Sequence, residues 1–448
     1  MANLNDLLAR AQKYATDYLE QAQKGSVVPS TDAVTALAGF EEAVPDTGFS
    51  AEDTLDLMHR LGSPATFATT GGRYFGFVTG GTLPGTLAAN WLSTAWDNNS
   101  ALQAQSPATS AIESVASRWI VDLFGLPSDC AVGFVTGATA ANLSGLAAAR
   151  SHILNRMNWD VEARGLFGAP EIKVVVSDEV HVSVLKAISI LGLGRERIVR
   201  VPTDDQGRMR ADSLPELNPS TIVCIQAGNV NTGSFDPANE VIRAARKAGA
   251  WVHVDGAFGL WAFVSPQYQE LVRAFLEADS FATDGHKMLN VPYDSGIVIV
   301  RNRESLTRSF SATAAYLKNS ASDMSNFTPE FSRRARGIEI WAAIRTLGRV
   351  GLARLVERNC DFAKRIPAEV AHHGLSTPHN VVFNQVMLVA KTDEETDRIL
   401  RAVQNSGVCW FGGTVWHGKH AMRISFSSWN TSEDDFASTI RAIRLACS

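Results

Sequence analysis

Cysteine is scarce. Cys130, Cys224, Cys360, Cys409 and Cys447 are scattered through 448 residues and odd in number. None stands in a C-x-x-C pair, so neither a zinc ribbon nor a disulfide framework is indicated. Basic runs are short as well. The densest, Arg333-Arg334-Ala335-Arg336, cannot track a phosphate backbone, and a net charge of −5 argues against a nucleic-acid partner. No stretch approaches the ~20 apolar residues of a membrane span. In place of a charged-then-apolar leader, Leu4, Leu7, Leu8, Ala11, Ala15, Tyr18 and Leu19 recur at helical spacing. These absences make a cytoplasmic protein, with neither membrane nor nucleic acid as partner, the expectation. What is present can build a large core: 45% of residues are hydrophobic and 19% charged, which excludes a disordered chain. The length corresponds to roughly two to three domains.

The first sixty or so residues read as helices broken at Pro29, Pro45 and Pro64. The apolar stripe of the first must be buried on its own domain or on a partner subunit. Between about 70 and 335, short β-branched runs alternate with helical stretches. Strands are expected at Val132–Val135, Ile172–Val176, Arg197–Val201, Thr221–Ile225, Trp251–Val254 and Ser295–Val300, and helices over 140–152, 182–192, 237–248 and 334–348. Near-continuous apolar strands between helices predict an α/β fold whose mostly parallel central sheet is covered on both faces. Beyond it a smaller α+β C-terminal domain has strands near 381–390 and 421–427 and a closing helix after Thr431. The boundaries are a helical segment over 1–68, a large domain over 69–340 and a small domain over 341–448.

Asp255 ends the strand-like run Trp251-Val252-His253-Val254-Asp255-Gly256-Ala257, and Lys287 follows in Phe281-Ala282-Thr283-Asp284-Gly285-His286-Lys287-Met288. A carboxylate at one strand end and a lysine just beyond the next suit pyridoxal 5'-phosphate (PLP). The lysine amine takes the aldehyde, and the carboxylate keeps the pyridine nitrogen protonated so that the ring accepts electrons. At ~4 Å and an effective dielectric of about 20, that ion pair contributes about 4 kcal/mol, or roughly three pKa units. Parallel sheets bind ligands beyond the carboxyl ends of their strands, where both residues fall. Strand 132–135 leads into Thr136-Gly137-Ala138-Thr139-Ala140-Ala141-Asn142 and then a helix. Small residues at such a turn let backbone N–H groups approach a phosphate, which the helix N-terminus favours, and Thr139 adds a hydroxyl. His181, between a strand and a helix, offers a ring to stack on a pyridine and a proton donor near the reacting carbon. His253 and Asp255 share a strand face and invite a metal reading. No third ligand with ordered spacing accompanies them, and His417 and His420 read as a loop, so no metal is expected.

These segments, in this order over roughly residues 65–430, resemble the group II PLP-dependent amino-acid decarboxylases, the family of aromatic amino-acid and glutamate decarboxylases. The H-V-D-x-A segment from His253 to Ala257, the H-K pair at 286–287, the helix start at His181 and Ser332-Arg333-Arg334-Ala335-Arg336-Gly337-Ile338-Glu339-Ile340-Trp341 all correspond. The resemblance implies a PLP-dependent transferase type I fold and a homodimer with active sites at the subunit interface. It assigns Lys287 to the aldehyde, Asp255 to the pyridine nitrogen, His181 to ring stacking, and Gly137, Ala138, Thr139, Ala257 and His286 to the cofactor's surroundings. Tyr316, in Tyr316-Leu317-Lys318, stands where these decarboxylases carry the tyrosine that protonates the carbanion left by CO2. Relatives that oxidise their substrate tend to have phenylalanine there.

The chain departs from the family at the substrate. Arg73-Tyr74-Phe75-Gly76-Phe77-Val78-Thr79-Gly80 replaces an aromatic- and proline-bearing stretch, and the segment expected to reach in from the partner, Asn98-Asn99-Ser100-Ala101, is small and polar. Phe77, Thr79 and Asn99 are the candidate substrate residues, and a small or polar L-amino acid is expected. Trp410, Phe411 and Trp416 could supply an apolar wall instead, although a core role suits them better. The expected reaction is α-decarboxylation to an amine and CO2. Aldol-type C–C cleavage, decarboxylation-coupled oxidative deamination and transamination share its first steps and remain open. A non-catalytic PLP-binding regulator is the remote alternative, for which no DNA-reading helix-turn-helix is visible.

Overall fold

The computed structural model of the protein describes residues 3–311 and 320–448. The described chain divides into two compact units: 82–364 with 378–387, and 1–81 with 365–377 and 388–448.

The larger unit is built on a seven-stranded sheet: β1 (Ala131–Val135), β2 (Lys173–Ser177), β3 (Val199–Val201), β4 (Thr221–Gln226), β5 (Trp251–Asp255), β6 (Ser280–Asp284) and β7 (Gly296–Val300). Their order is β1-β7-β6-β5-β4-β2-β3, and β7 alone runs antiparallel to its neighbours. The mostly parallel α/β sheet read from the sequence is therefore present. Every residue of β1, β4, β5, β6 and β7 is buried, as a sheet covered on both faces requires.

The helix Ala138–Arg156 follows β1 and packs on β5, β6 and β7 through a face of small residues, among them Ala141, Gly145, Ala148 and Ala149. Small side chains bring its backbone close to the strands, and so bring polar groups on the same helix within reach of strand residues. The helix Ala238–Ala248 buries Val241, Ile242 and Ala245 and ends at Gly249 with φ 69°, a left-handed C-cap suited to glycine. The helix expected over 334–348 spans Gly337–Val370, with a break at Gly348 (φ 59°, ψ −179°). That glycine marks where the expected helix ends, and a second helical stretch follows it directly.

β6 is absent from the expected strands, and the reason is chemical. Ser280-Phe281-Ala282-Thr283-Asp284 is too polar to stand out, and it becomes a strand by pairing between β5 and β7. A short strand β8 (Gln385–Leu388) follows in the chain. The second unit holds the antiparallel hairpin of β9 (Gly412–Trp416) and β10 (Lys419–Ser425) and the closing helix Glu433–Cys447. There Phe75 N–H donates to the Trp410 carbonyl, Trp410 N–H donates to that of Arg73, and the Arg73 guanidinium donates to the carbonyls of Gly25 and Val408. Among the described residues, no helix is long and apolar enough to cross a membrane.

Candidate active site

The carboxyl ends of β1, β5 and β6 lead into residues 137–139, 255–257 and 286–287. Asp255 is the last residue of β5 and is buried. Its Oδ2 accepts from Asn142 Nδ2 at 3.2 Å and from Ser183 Oγ at 3.4 Å, and its Oδ1 accepts from the Ala257 N–H at 3.3 Å. The β5–β6 pairing continues past the strand ends, where the Ala257 carbonyl accepts from the Asp284 N–H at 2.9 Å.

β6 ends at Asp284, and Lys287 lies in the turn three residues later, mostly buried. Its Nζ is 2.9 Å from Asp284 Oδ2 and 6.0 Å from the centroid of the Phe258 ring. His286 is buried; its Nδ1 accepts from the Ser295 N–H at 3.1 Å, its ring stacks on Tyr293 at 4.2 Å, and Nε2 faces Asp284 Oδ1 at 3.4 Å. Burial lowers the His286 pKa, with the Asp284 charge opposing it. A neutral ring that accepts at Nδ1 carries its proton on Nε2, directed at the carboxylate.

Gly137 caps the N-terminus of the Ala138–Arg156 helix, and the Ala138 N–H donates to Asp284 Oδ1 at 2.5 Å. Thr139 is exposed on the first turn. Close approach is enforced from behind, since a Cβ on Gly296 of β7 would lie 2.4–2.6 Å from the Gly137 backbone. His181 is the N-cap of the helix Val182–Ile190; its Nδ1 accepts from the Ser183 N–H at 3.3 Å and lies 2.7 Å from Ser183 Oγ. Ser183 thus joins His181 to Asp255.

Asn99 is partly exposed in the same unit. Its Oδ1 accepts from the N–H groups of Ala101 and Arg333, while Ser100 and Ala101 turn fully inward. Phe77 and Thr79 belong to the other unit. Phe77 is exposed at φ 54° with its ring 5.6 Å from that of Trp410, which stacks on Tyr74, and Thr79 is buried. Phe411 and Trp416 are buried in that unit. Tyr316 lies outside the described residues. Asp284, Asn142 and Ser183 went unassigned in the sequence. Asp284 had a signal, three residues before the lysine at a strand end; Asn142 and Ser183 acquire meaning only from the strand they face.

The donor set fits PLP. It comprises a primary amine, a buried hydrogen-bonded carboxylate, an imidazole at a helix start, and a helix N-terminus whose first amide already binds an anionic oxygen, that of Asp284. This α/β scaffold with its lysine and carboxylate at adjacent strand ends defines a PLP-dependent enzyme. Residues 38–388 match the model of the pyridoxal-dependent decarboxylase conserved domain, and the chain belongs to that family, as a PLP-dependent carboxy-lyase. It is 25% identical over 367 residues to an aromatic-L-amino-acid decarboxylase of Bacillus atrophaeus, covering 79% of this chain and 74% of that protein. It is 27% identical over 340 residues to an acidic amino acid decarboxylase of Mus musculus, covering 72% and 61%. The crystal structure of Oryza sativa TDC with PLP and tryptamine superposes with a TM-score of 0.90 at 22% identity, covering 99% of this chain and 98% of that one, and is alike in fold.

Proposed function

We propose that the protein is a homodimeric α-decarboxylase that converts a small or polar L-amino acid to its amine and CO2. The observation that carries this reading is Asp255, a buried carboxylate that accepts hydrogen bonds from Asn142 and Ser183 at the end of the strand next to the one that leads to Lys287. When bound, PLP supplies an electrophilic aldehyde and a protonated pyridine ring that accepts the electron pair released as CO2 departs.

The chain's own groups divide the remaining work. Lys287 would hold the cofactor through its amine. Asp255 holds the proton on the ring nitrogen. His181 would face the ring, and the helix N-terminus at Ala138 would hold the phosphate. Tyr316 delivers the proton to the substrate α-carbon after CO2 has left. The homodimer reading is supported by Trp91, Leu92 and Trp96, exposed on the helix Pro84–Trp96. The substrate reading is supported by the sequence, in which Thr79 and Asn99 are polar; a buried polar group left unpaired by an aromatic ligand costs about 1–3 kcal/mol.

Purified holoenzyme incubated with the common L-amino acids, with amine, CO2, peroxide, aldehyde and keto acid all measured, tests the reading. Amine and CO2 in equal amounts, with small or acidic substrates preferred, are expected. Peroxide with aldehyde, or keto acid without CO2, would replace decarboxylation by an oxidative or amino-transfer reaction. A specificity constant highest for phenylalanine, tyrosine or tryptophan would overturn the substrate class. Tyr316→Phe should slow amine release by about 10²–10⁴-fold and raise peroxide and aldehyde in air.

A further inference from the structure

Behind Asp255 runs a chain of buried polar groups. His253, two residues earlier on β5, is fully buried with both ring nitrogens engaged: Nδ1 lies 2.8 Å from Ser280 Oγ, and Nε2 lies 2.8 Å from Asn142 Oδ1. Burial lowers its pKa to about 3, so the ring is neutral near physiological pH and has a single N–H. The ionised Asp255 only accepts hydrogen bonds, so Asn142 must turn its Nδ2 toward it and its Oδ1 toward His253. An amide oxygen also only accepts. The histidine proton therefore sits on Nε2, and Nδ1 takes the hydroxyl proton of Ser280. Ser280 Oγ in turn accepts from Trp251 Nε1–H at 2.9 Å.

Every donor in this series points the same way: indole to hydroxyl, hydroxyl to imidazole, imidazole to amide oxygen, amide nitrogen to Asp255. The Ala138–Arg156 helix leaves room for the ring at Gly145, where a Cβ would lie 2.7 Å from His253 Cε1 and 2.8 Å from Nδ1.

We propose that His253 is a positioning residue for the reaction: by holding Asn142 Oδ1 it keeps the Asn142 Nδ2 donor on Asp255, so that the proton shared with the cofactor stays on the ring nitrogen. This rests on the assignment of Asp255 to that nitrogen. A carboxylate that accepts hydrogen bonds is a weaker base. Without the relay the proton moves toward Asp255, and the ring is a poorer electron acceptor.

The test is 15N NMR of holoenzyme reconstituted with PLP labelled at the ring nitrogen, together with kcat and KM. Asp255→Asn is measured first. An unmoved resonance in that variant overturns the assignment of Asp255 and the proposal with it. If it moves, His253→Leu should shift the resonance toward the unprotonated position and lower kcat about tenfold, as loss of one charge-assisted hydrogen bond implies, with KM nearly unchanged. His253→Gln, whose amide can still donate to Asn142, should restore most of both signals. Gly145→Ala displaces the ring without deleting a polar group and adds a helix-favouring residue; it should behave as His253→Leu does, and it decides the matter if the leucine variant fails to fold. A wild-type resonance in His253→Leu or Gly145→Ala, with activity lost, overturns the proposal, because His253 would then act through stability alone.

Discussion

Lys287 and Asp255 were legible one at a time as a lysine and a carboxylate, and their meaning came from order along the chain. The structure adds their company. Asp284 lies 2.9 Å from the Lys287 amine and also accepts from Ala138, so a single carboxylate touches both the lysine and the helix terminus proposed to receive phosphate. Lys287→Ala should abolish turnover while the apoprotein still binds PLP noncovalently. Borohydride reduction followed by peptide mass analysis should label Lys287 in the wild type, and a label on another lysine would displace the assignment. Asp255→Asn should fold, since an amide oxygen can still accept from Asn142 and Ser183, yet lose about a thousandfold in kcat if the ~4 kcal/mol ion pair is lost. Wild-type turnover in that variant would mean that another group protonates the ring.

Sequence periodicity located six of the seven central strands within a residue or two, because Val, Ile and Phe buried on both faces leave a continuous apolar run. Val199–Val201 was located but shorter than expected, and Ser280–Asp284 was hidden by its serine, threonine and aspartate, although it is the strand that leads to Lys287. Its burial comes from its neighbours' pairing and not from its own composition. The approach of β7 to the β1–helix turn was equally hidden. Gly296 in Ser295-Gly296-Ile297 looks like an ordinary strand glycine, yet it lies against the Gly137 backbone. Gly296→Ala should therefore cost about 1–3 kcal/mol, the usual penalty for overpacking, and should weaken PLP binding by moving the Ala138 amide. Thermal denaturation and PLP titration of the apoenzyme check both effects. Unchanged PLP affinity at reduced stability would separate the turn from the cofactor site.

For the molecule as a whole, burial leaves a pH signature. His152, His253, His286 and His379 all have lowered pKa values, with burial the leading cause in each. A histidine whose folded pKa lies below its unfolded value of about 6.5 stabilises the fold fully above that pH and progressively less as the pH falls toward the folded value. His253, at about 3, alone loses about 2 kcal/mol of its contribution between pH 6.5 and 5. Asp236, raised to about 6 by burial, has the opposite sign, favouring the fold once protonated and losing that contribution as the pH rises through 6. Asp279 is also raised by burial; these two carboxylates do not offset four histidines, so urea unfolding should show lower stability at pH 5 than at pH 7, and equal or higher stability at pH 5 would contradict these burials. By itself the sequence determined the α/β class, the strand-end placement of Asp255, the order in which Lys287 follows it and the family, because periodicity and chain order are local properties. The tertiary structure alone decided that Asn142, Ser183 and His253 converge on Asp255 and that Asp284 faces Lys287. Those contacts join residues as far as 113 positions apart, and only close packing of a small-residue helix on the sheet brings them within hydrogen-bond distance.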